Sequence, residues 1–200
     1  MTASDIATAV AELRRESSLP VDPLRRGPIL LHRIFDEQNL QHFELPDLTR
    51  GSVIADLAAK GLAVDDTGDA AEPLDGFIIT TRDRGFIYIC RNARNILPRR
   101  RFSVAHEIGH YILHRRIMGR YRADAKIGDA DTTDAMEVEA NRFAAELLIP
   151  REVCWHRAEE TRTQMKSCPR QVLAYRLTAE LLVSHQAMRH RLDELEVGNE

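Results

Sequence analysis

The chain has 200 residues, with 28 Lys and Arg against 31 Asp and Glu for a formal net charge of −3, 44% apolar residues, 10 Gly and 8 Pro. That composition suits a globular protein that buries a core without disulfide staples, and it excludes a disordered or collagen-like chain. The near-balanced charge offers no general attraction to nucleic acid or an anionic membrane, and no apolar run approaches the ~18–20 residues of a membrane span.

The N-terminus, Met1-Thr2-Ala3-Ser4-Asp5, lacks the basic region and apolar stretch of a secretion signal, so a cytoplasmic protein is expected. Ile6, Val10 and Leu13 recur at helical spacing behind a Thr2 or Ser4 cap, and this helix stops at Ser17-Ser18-Leu19-Pro20. Residues 28–43 are ambiguous. A short helix is predicted over 52–60, capped by Ser52, with Val53, Ile54, Leu57 and Ala58 on its face and Gly61 at its end. Leu62-Ala63-Val64 reads as a short strand. Beyond the polar stretch 65–75, strands are predicted at Phe77–Thr80 and Phe86–Cys90, with the turn residues Asp83-Arg84-Gly85 between them. The sheet is therefore expected to be small and antiparallel, not the βαβ repeat of a doubly wound fold.

From Arg99 the pattern turns helical, with helices predicted at about 99–116, 134–148, 151–162 and 170–196; Pro150 and Pro169 stand at helix starts. The stretch 117–133, with Gly119, Gly128, Asp124, Asp129 and Asp131, reads as an exposed loop between the first two. Arg91, Arg94, Arg99, Arg100, Arg101, Arg115, Arg116, Arg120 and Arg122 crowd one region in which Glu107 is the lone acid. They form either a solvated face or a docking surface for an acidic partner. Cys90, Cys154 and Cys168 are odd in number and lack C-x-x-C spacing, which argues against a disulfide framework and against a cysteine zinc site. The fold class is α+β.

The chemistry centres on His106-Glu107-Ile108-Gly109-His110, an H-E-x-x-H motif. On a helix, residues four apart share a face, so two imidazoles at this spacing converge on one Zn²⁺. The adjacent glutamate is then placed as general base, taking the proton of the attacking water and passing it to the leaving amine. Val104, Ala105, Ile108, Tyr111, Ile112 and Leu113 supply the apolar face of a buried helix. Gly109, unfavourable in a helix interior by roughly 1 kcal/mol against Ala, points to close approach by another backbone. His114 lies about 12 Å along the axis from His106, too far to share a metal with it, and is read as a supporting or packing group.

A catalytic zinc needs a third protein ligand. Glu137 and Asn141 are four apart and share a face; Glu139 points about 200° from Glu137. One of the two acids can ligate, the other being solvent-facing or paired. Asn141 can orient a ligand histidine through its other ring nitrogen. Tyr88, Tyr111, Tyr121 and the arginines are all conceivable stabilisers of an oxyanion, and the sequence does not rank them.

Arg101-Phe102-Ser103-Val104-Ala105-His106-Glu107-Ile108-Gly109-His110-Tyr111-Ile112-Leu113-His114 is similar to the core signature of the ImmA/IrrE family of metallopeptidases. Glu137-x-Glu139-Ala140-Asn141-x-Phe143-Ala144-Ala145-x-Leu147-Leu148-Ile149-Pro150 resembles its second signature. The resemblance implies a gluzincin-like site: zinc on His106, His110 and Glu137, the acid four before Asn141, with Glu107 as base and Asn141 and His114 behind the ligands. It also implies a mainly helical zincin-like core at 51–162, preceded by an N-terminal helical segment, 1–50. Leu177–Leu195 resembles the family's C-terminal segment, helix-turn-helix-like over 163–200, with Ser184 capping its second helix and Leu182 where a glycine-like turn residue is common. His185, Gln186, Arg189 and His190 face a groove if that segment binds DNA; helices packed on the peptidase are favoured instead.

The expected function is therefore a zinc endopeptidase acting on a protein, a helix-turn-helix repressor by resemblance, in phage, mobile-element or stress regulation. The alternative is a DNA- or protein-binding regulator with a structural or vestigial zinc site. The intact Glu107 favours chemistry, since a structural site needs no base. Phe86–Cys90 is a candidate edge for holding an extended peptide by strand addition.

Overall fold

The computed structural model describes residues 1–24, 26–92, 95–128 and 132–198; Arg94, Asp129 and Asp131 lie outside the described residues. Eight α-helices and four strands are present among them, in the order α1 (Ala3–Glu16), α2 (His32–Glu37), β1 (Leu40–Leu45), α3 (Arg50–Ala59), β2 (Gly76–Thr80), β3 (Gly85–Cys90), α4 (Leu97–Gly109), a π-helical turn (His110–His114), β4 (Tyr121–Asp124), α5 (Ala135–Leu148), α6 (Arg151–Met165), α7 (Arg170–Leu181) and α8 (His185–Glu194). Thr2 caps α1, its side chain accepting from the Asp5 amide while the Asp5 carboxylate accepts from the Thr2 backbone. Thr49 and Ser52 cap α3 in the same reciprocal way, starting that helix two residues before its predicted start.

The sheet has the order β1-β3-β2-β4 and is mixed, not antiparallel throughout. The β2–β3 hairpin is antiparallel, with Ile78 opposite Ile87, and β4 pairs antiparallel with β2, with Arg122 opposite Ile78 and Asp124 opposite Gly76. β1, from the ambiguous stretch, runs parallel to β3 because the chain returns through α3 and β2 before β3 is laid down. Leu62 and Val64 form no strand: β1 and β4 hold the outer places of the sheet, and these two side chains pack from coil against the α3 side. β3 is interior, so it offers no edge to a peptide.

Both faces of the sheet are covered, which is why β3 is buried along its whole length. Phe77, Ile79, Phe86 and Tyr88 pack with Val53 and Leu57 of α3. Ile78, Ile87 and Ile89 face the larger core, shared with Val104 and Ile108 of α4, Phe143 and Leu147 of α5, and Leu177, Met188 and Leu192 of α7 and α8. The C-terminal helices thus pack on the helical side of the molecule. The predicted 170–196 helix is broken at Leu182, which adopts a left-handed conformation (φ 52°, ψ 51°) with Ser184 capping α8.

The C-terminus of α5 is held by two buried cations. Arg14 of α1 donates to the carbonyls of Glu146 and Leu147 (2.7 and 2.6 Å), and Arg191 of α8 to that of Ile149 (3.2 Å). They satisfy carbonyls that have no partner within the helix and favour the negative end of its dipole. No helix among the described residues is long and apolar enough to cross a membrane. Cys90, Cys154 and Cys168 are buried.

Candidate metal centre

Residues Ser103–Gly109 of α4 are all buried, wedged between the sheet and α5. Gly109 makes that proximity feasible. A Cβ there would lie 3.1 Å from Phe143 Cδ1 and 3.3 Å from Ala140 Cα, so α5 passes against bare backbone. Beyond Gly109 the helix widens into the π-helical turn, a feature often found at functional sites.

α4 and α5 bring three predicted residues together. His106 Nε2 and His110 Nε2 lie 3.0 Å apart, and the Glu137 carboxylate reaches them at 3.3 and 3.1 Å. His106 and His110 are fully buried. His106 Nδ1 and Asn141 Oδ1 are 3.0 Å apart; since the amide oxygen only accepts, Nδ1 carries the proton and Nε2 is left with its lone pair towards the cluster.

His110 is oriented by a longer chain. Its Nδ1 is 3.0 Å from His114 Nδ1, and His114 Nε2 is 2.9 Å from Glu139 Oε2. An ionised Glu139 can only accept, so His114 donates from Nε2 and accepts at Nδ1, which makes His110 the donor at Nδ1 and again frees Nε2. Glu139 is thus the paired acid and Glu137 the one in the cluster.

The fourth member of the cluster comes from β4. Asp124 Oδ2 lies 3.8 Å from both His106 Nε2 and His110 Nε2, and one donor atom each from His106, His110, Asp124 and Glu137 fall within 4.8 Å of one another. Arg122, two residues earlier on the same face of β4, bonds Asp124 Oδ1 (3.1 Å), Glu137 Oε1 (2.8 Å) and Asp134 (2.7 Å). Both residues fall in the stretch predicted to be a loop. The available signal was a period of two: Tyr121 and Ala123 pack on the α3 side, Arg122 and Asp124 on the other, but the flanking glycines and acids obscured it.

Glu107 is fully buried beside this group, and neither of its carboxylate oxygens has a hydrogen-bond partner among the described residues. Burial pushes its pKa well up, and the nearby negative charges of Asp124 and Glu137 push it further. For His106, burial disfavours charge, yet the carboxylates of Asp124 and Glu137 outweigh it and raise the pKa. Burial acts against an ionised Glu137 too, but the two imidazoles hold it far below the usual carboxylate range. The space for Glu107 is made by Gly76 of β2: a Cβ on Gly76 would lie 2.1 Å from Glu107 Oε1.

The remaining candidates point elsewhere. Tyr88 donates to Asp56 (2.7 Å), Tyr111 to the carbonyl of Gln38, and Tyr121 to that of Asp65. Arg99 pairs with Asp75, and Arg101 bonds the Ile29 carbonyl. Two imidazoles and buried carboxylates within a few ångströms, with carboxylate oxygens left unpartnered, form a donor set suited to a divalent cation such as Zn²⁺. A cleft of about 440 Å³ opens beside Asn141, lined by Phe102, Ile127, Ala145, Ala187 and His190.

Residues 61–193 match the IrrE N-terminal-like domain, a peptidase family. No curated protein matches the chain.

Proposed function

The chain belongs to this metallopeptidase family, and from that premise we propose that it is a zinc-dependent endopeptidase whose dedicated substrate is a helix-turn-helix transcriptional repressor, cut in an exposed or locally unfolded segment. The observation that carries the reading is the convergence of His106, His110 and Glu137 to 3.0–3.3 Å around one point, with the carboxylate of Glu107 buried and unpartnered beside it.

On this reading His106, His110 and Glu137 hold the ion. When bound there, zinc would supply Lewis acidity to polarise the scissile carbonyl and lower the pKa of water. Glu107 accepts a proton from the attacking water on a carboxylate oxygen and delivers it to the leaving amine nitrogen. Its burial beside the donor set, with both carboxylate oxygens unpartnered among the described residues, leaves it free to take that proton and hand it on. Asn141 and the His114–Glu139 pair keep both imidazoles turned with Nε2 inward, so the donor set does not need to reorganise.

The substrate reading rests on the family resemblance and on the surroundings of the site. β4 is an outer strand of the sheet, and an extended peptide added to it runs past Arg122 and Asp124. The cleft beside Asn141 can take a substrate side chain. We place this activity in the cytoplasm, in phage, mobile-element or stress regulation.

The test is Glu107→Gln used as a substrate trap. The variant keeps its fold and metal, turnover falls ~10²–10⁴-fold, and pull-down retains one repressor. A Gln variant that cleaves as fast as wild type refutes the mechanism. Rapid, unselective degradation of unrelated unfolded proteins by the wild type refutes the dedicated substrate.

A further inference from the structure

Asp124 stands apart from the other members of the cluster. It comes from a strand, not from the two helices that carry the motifs, and it is 6% exposed. One of its oxygens, Oδ1, is satisfied by Arg122. The other, Oδ2, is buried, has no hydrogen-bond partner among the described residues, and is aimed into the cluster.

Its position is geometrically specific. Four ligands about 2.0–2.1 Å from a tetrahedral zinc sit roughly 3.3 Å from one another. The edges among His106, His110 and Glu137 measure 3.0, 3.3 and 3.1 Å. Asp124 Oδ2 is equidistant from the two imidazole nitrogens, at 3.8 Å each. On those two edges it stands roughly 0.5 Å beyond the separation of bound ligands, and it lies within 4.8 Å of the Glu137 donor as well. With Oδ1 taken by Arg122, the carboxylate presents a buried Oδ2 to the donor set with no donor assigned to it among the described residues.

We propose that Asp124 occupies the fourth ligand position of the resting centre, making it a closed, four-protein-ligand site that opens only when Asp124 is withdrawn. The proposal rests on the zinc-peptidase reading above and adds its regulation. Four protein ligands are the pattern of structural zinc sites; catalysis needs a position free for water or substrate. Arg122 provides the alternative partner, already bonded to Oδ1, so the carboxylate can leave the centre without becoming unpaired. Asp124 also ends the outer strand β4, with its backbone carbonyl accepting from the Asp75 amide (2.8 Å). A peptide that adds to β4 therefore acts on the segment that carries the closing ligand, which couples substrate engagement to opening.

The experiment uses the purified chain loaded with Co²⁺, whose visible bands report its ligands. Acetohydroxamate, a small metal-binding probe, is titrated into wild type, Asp124→Asn and Asp124→Ser. If the resting site is open one time in ten or less, wild type binds the probe about tenfold or more weakly than either variant. Both variants also surrender metal to a chelator faster, having one ligand fewer. Water-proton relaxation of cobalt-loaded wild type, which needs no variant, should show no rapidly exchanging water on the metal. Equal probe affinity in all three proteins, or a rapidly exchanging water in wild type, overturns the proposal and leaves the peptidase reading standing. Failure of wild type to take up Co²⁺ or Zn²⁺ at all overturns both.

Discussion

Gly76→Ala should disable the enzyme without touching a metal ligand. The added methyl would sit 2.1 Å from Glu107 Oε1 and 2.6 Å from Ile127 Cδ1. Non-bonded heavy atoms settle at roughly 3.5 Å, so Glu107 must retreat by about 1.4 Å from where Gly76 now lets it lie. A misplacement of ~1 Å at a reacting group can reduce rate about 10²-fold. Forcing a methyl into a packed site also destabilises by roughly 1–3 kcal/mol. The backbone itself accepts alanine, since Gly76 has no positive φ. The assay is turnover of the trapped substrate, run with zinc content and a urea melt on the same preparation. The expected result is full zinc, a folded protein at assay temperature, and a loss near two orders of magnitude. A variant with wild-type turnover would show that the Glu107 carboxylate does not act from this position.

Asn141→Ala removes the acceptor that turns His106 inward; zinc affinity should weaken ~10–100-fold, measured by competition with a chelator. Glu180→Ala tests the C-terminal packing: Arg157 forks onto Glu180 at 2.7–3.0 Å but also reaches the Pro23 carbonyl and Glu160, so loss of that carboxylate should reduce stability by about 1–3 kcal/mol in urea denaturation, with zinc content unchanged in the folded protein. The chain should bind DNA weakly and without operator preference, because its net charge of −3 offers phosphates no general attraction; a salt-sensitive, operator-specific shift in a mobility assay would contradict this.

The parts of the site carried by one helix were readable from spacing alone. His106, Glu107 and His110 need only a helical period and an apolar face, and a glycine inside that helix, Gly109, implies close approach by another backbone, which is α5. Choosing between Glu137 and Glu139 was harder: helical geometry separates them by about 200° but does not say which faces the histidines, and the resemblance supplied that choice. Asp124 and Arg122 were not readable, because their place depends on β4 pairing with β2 more than forty residues earlier. Local propensity around Gly119 and Gly128 says loop, and a long-range ladder overrides it. The parallel pairing of β1 with β3 was hidden for the same reason: it is set by the path of the chain through α3, and residues 40–45 alternate too weakly to announce a strand.

The central claim is that one zinc ion sits between α4 and α5 on His106, His110 and Glu137. Metal analysis of purified wild type, Glu137→Ala and Glu139→Ala tests it most directly. The account predicts one zinc per chain in wild type, a much weaker hold on the metal in Glu137→Ala, and its retention in Glu139→Ala, where only the support behind His110 is weakened. A wild type without zinc, or a Glu137→Ala protein that keeps it while Glu139→Ala loses it, would contradict the account.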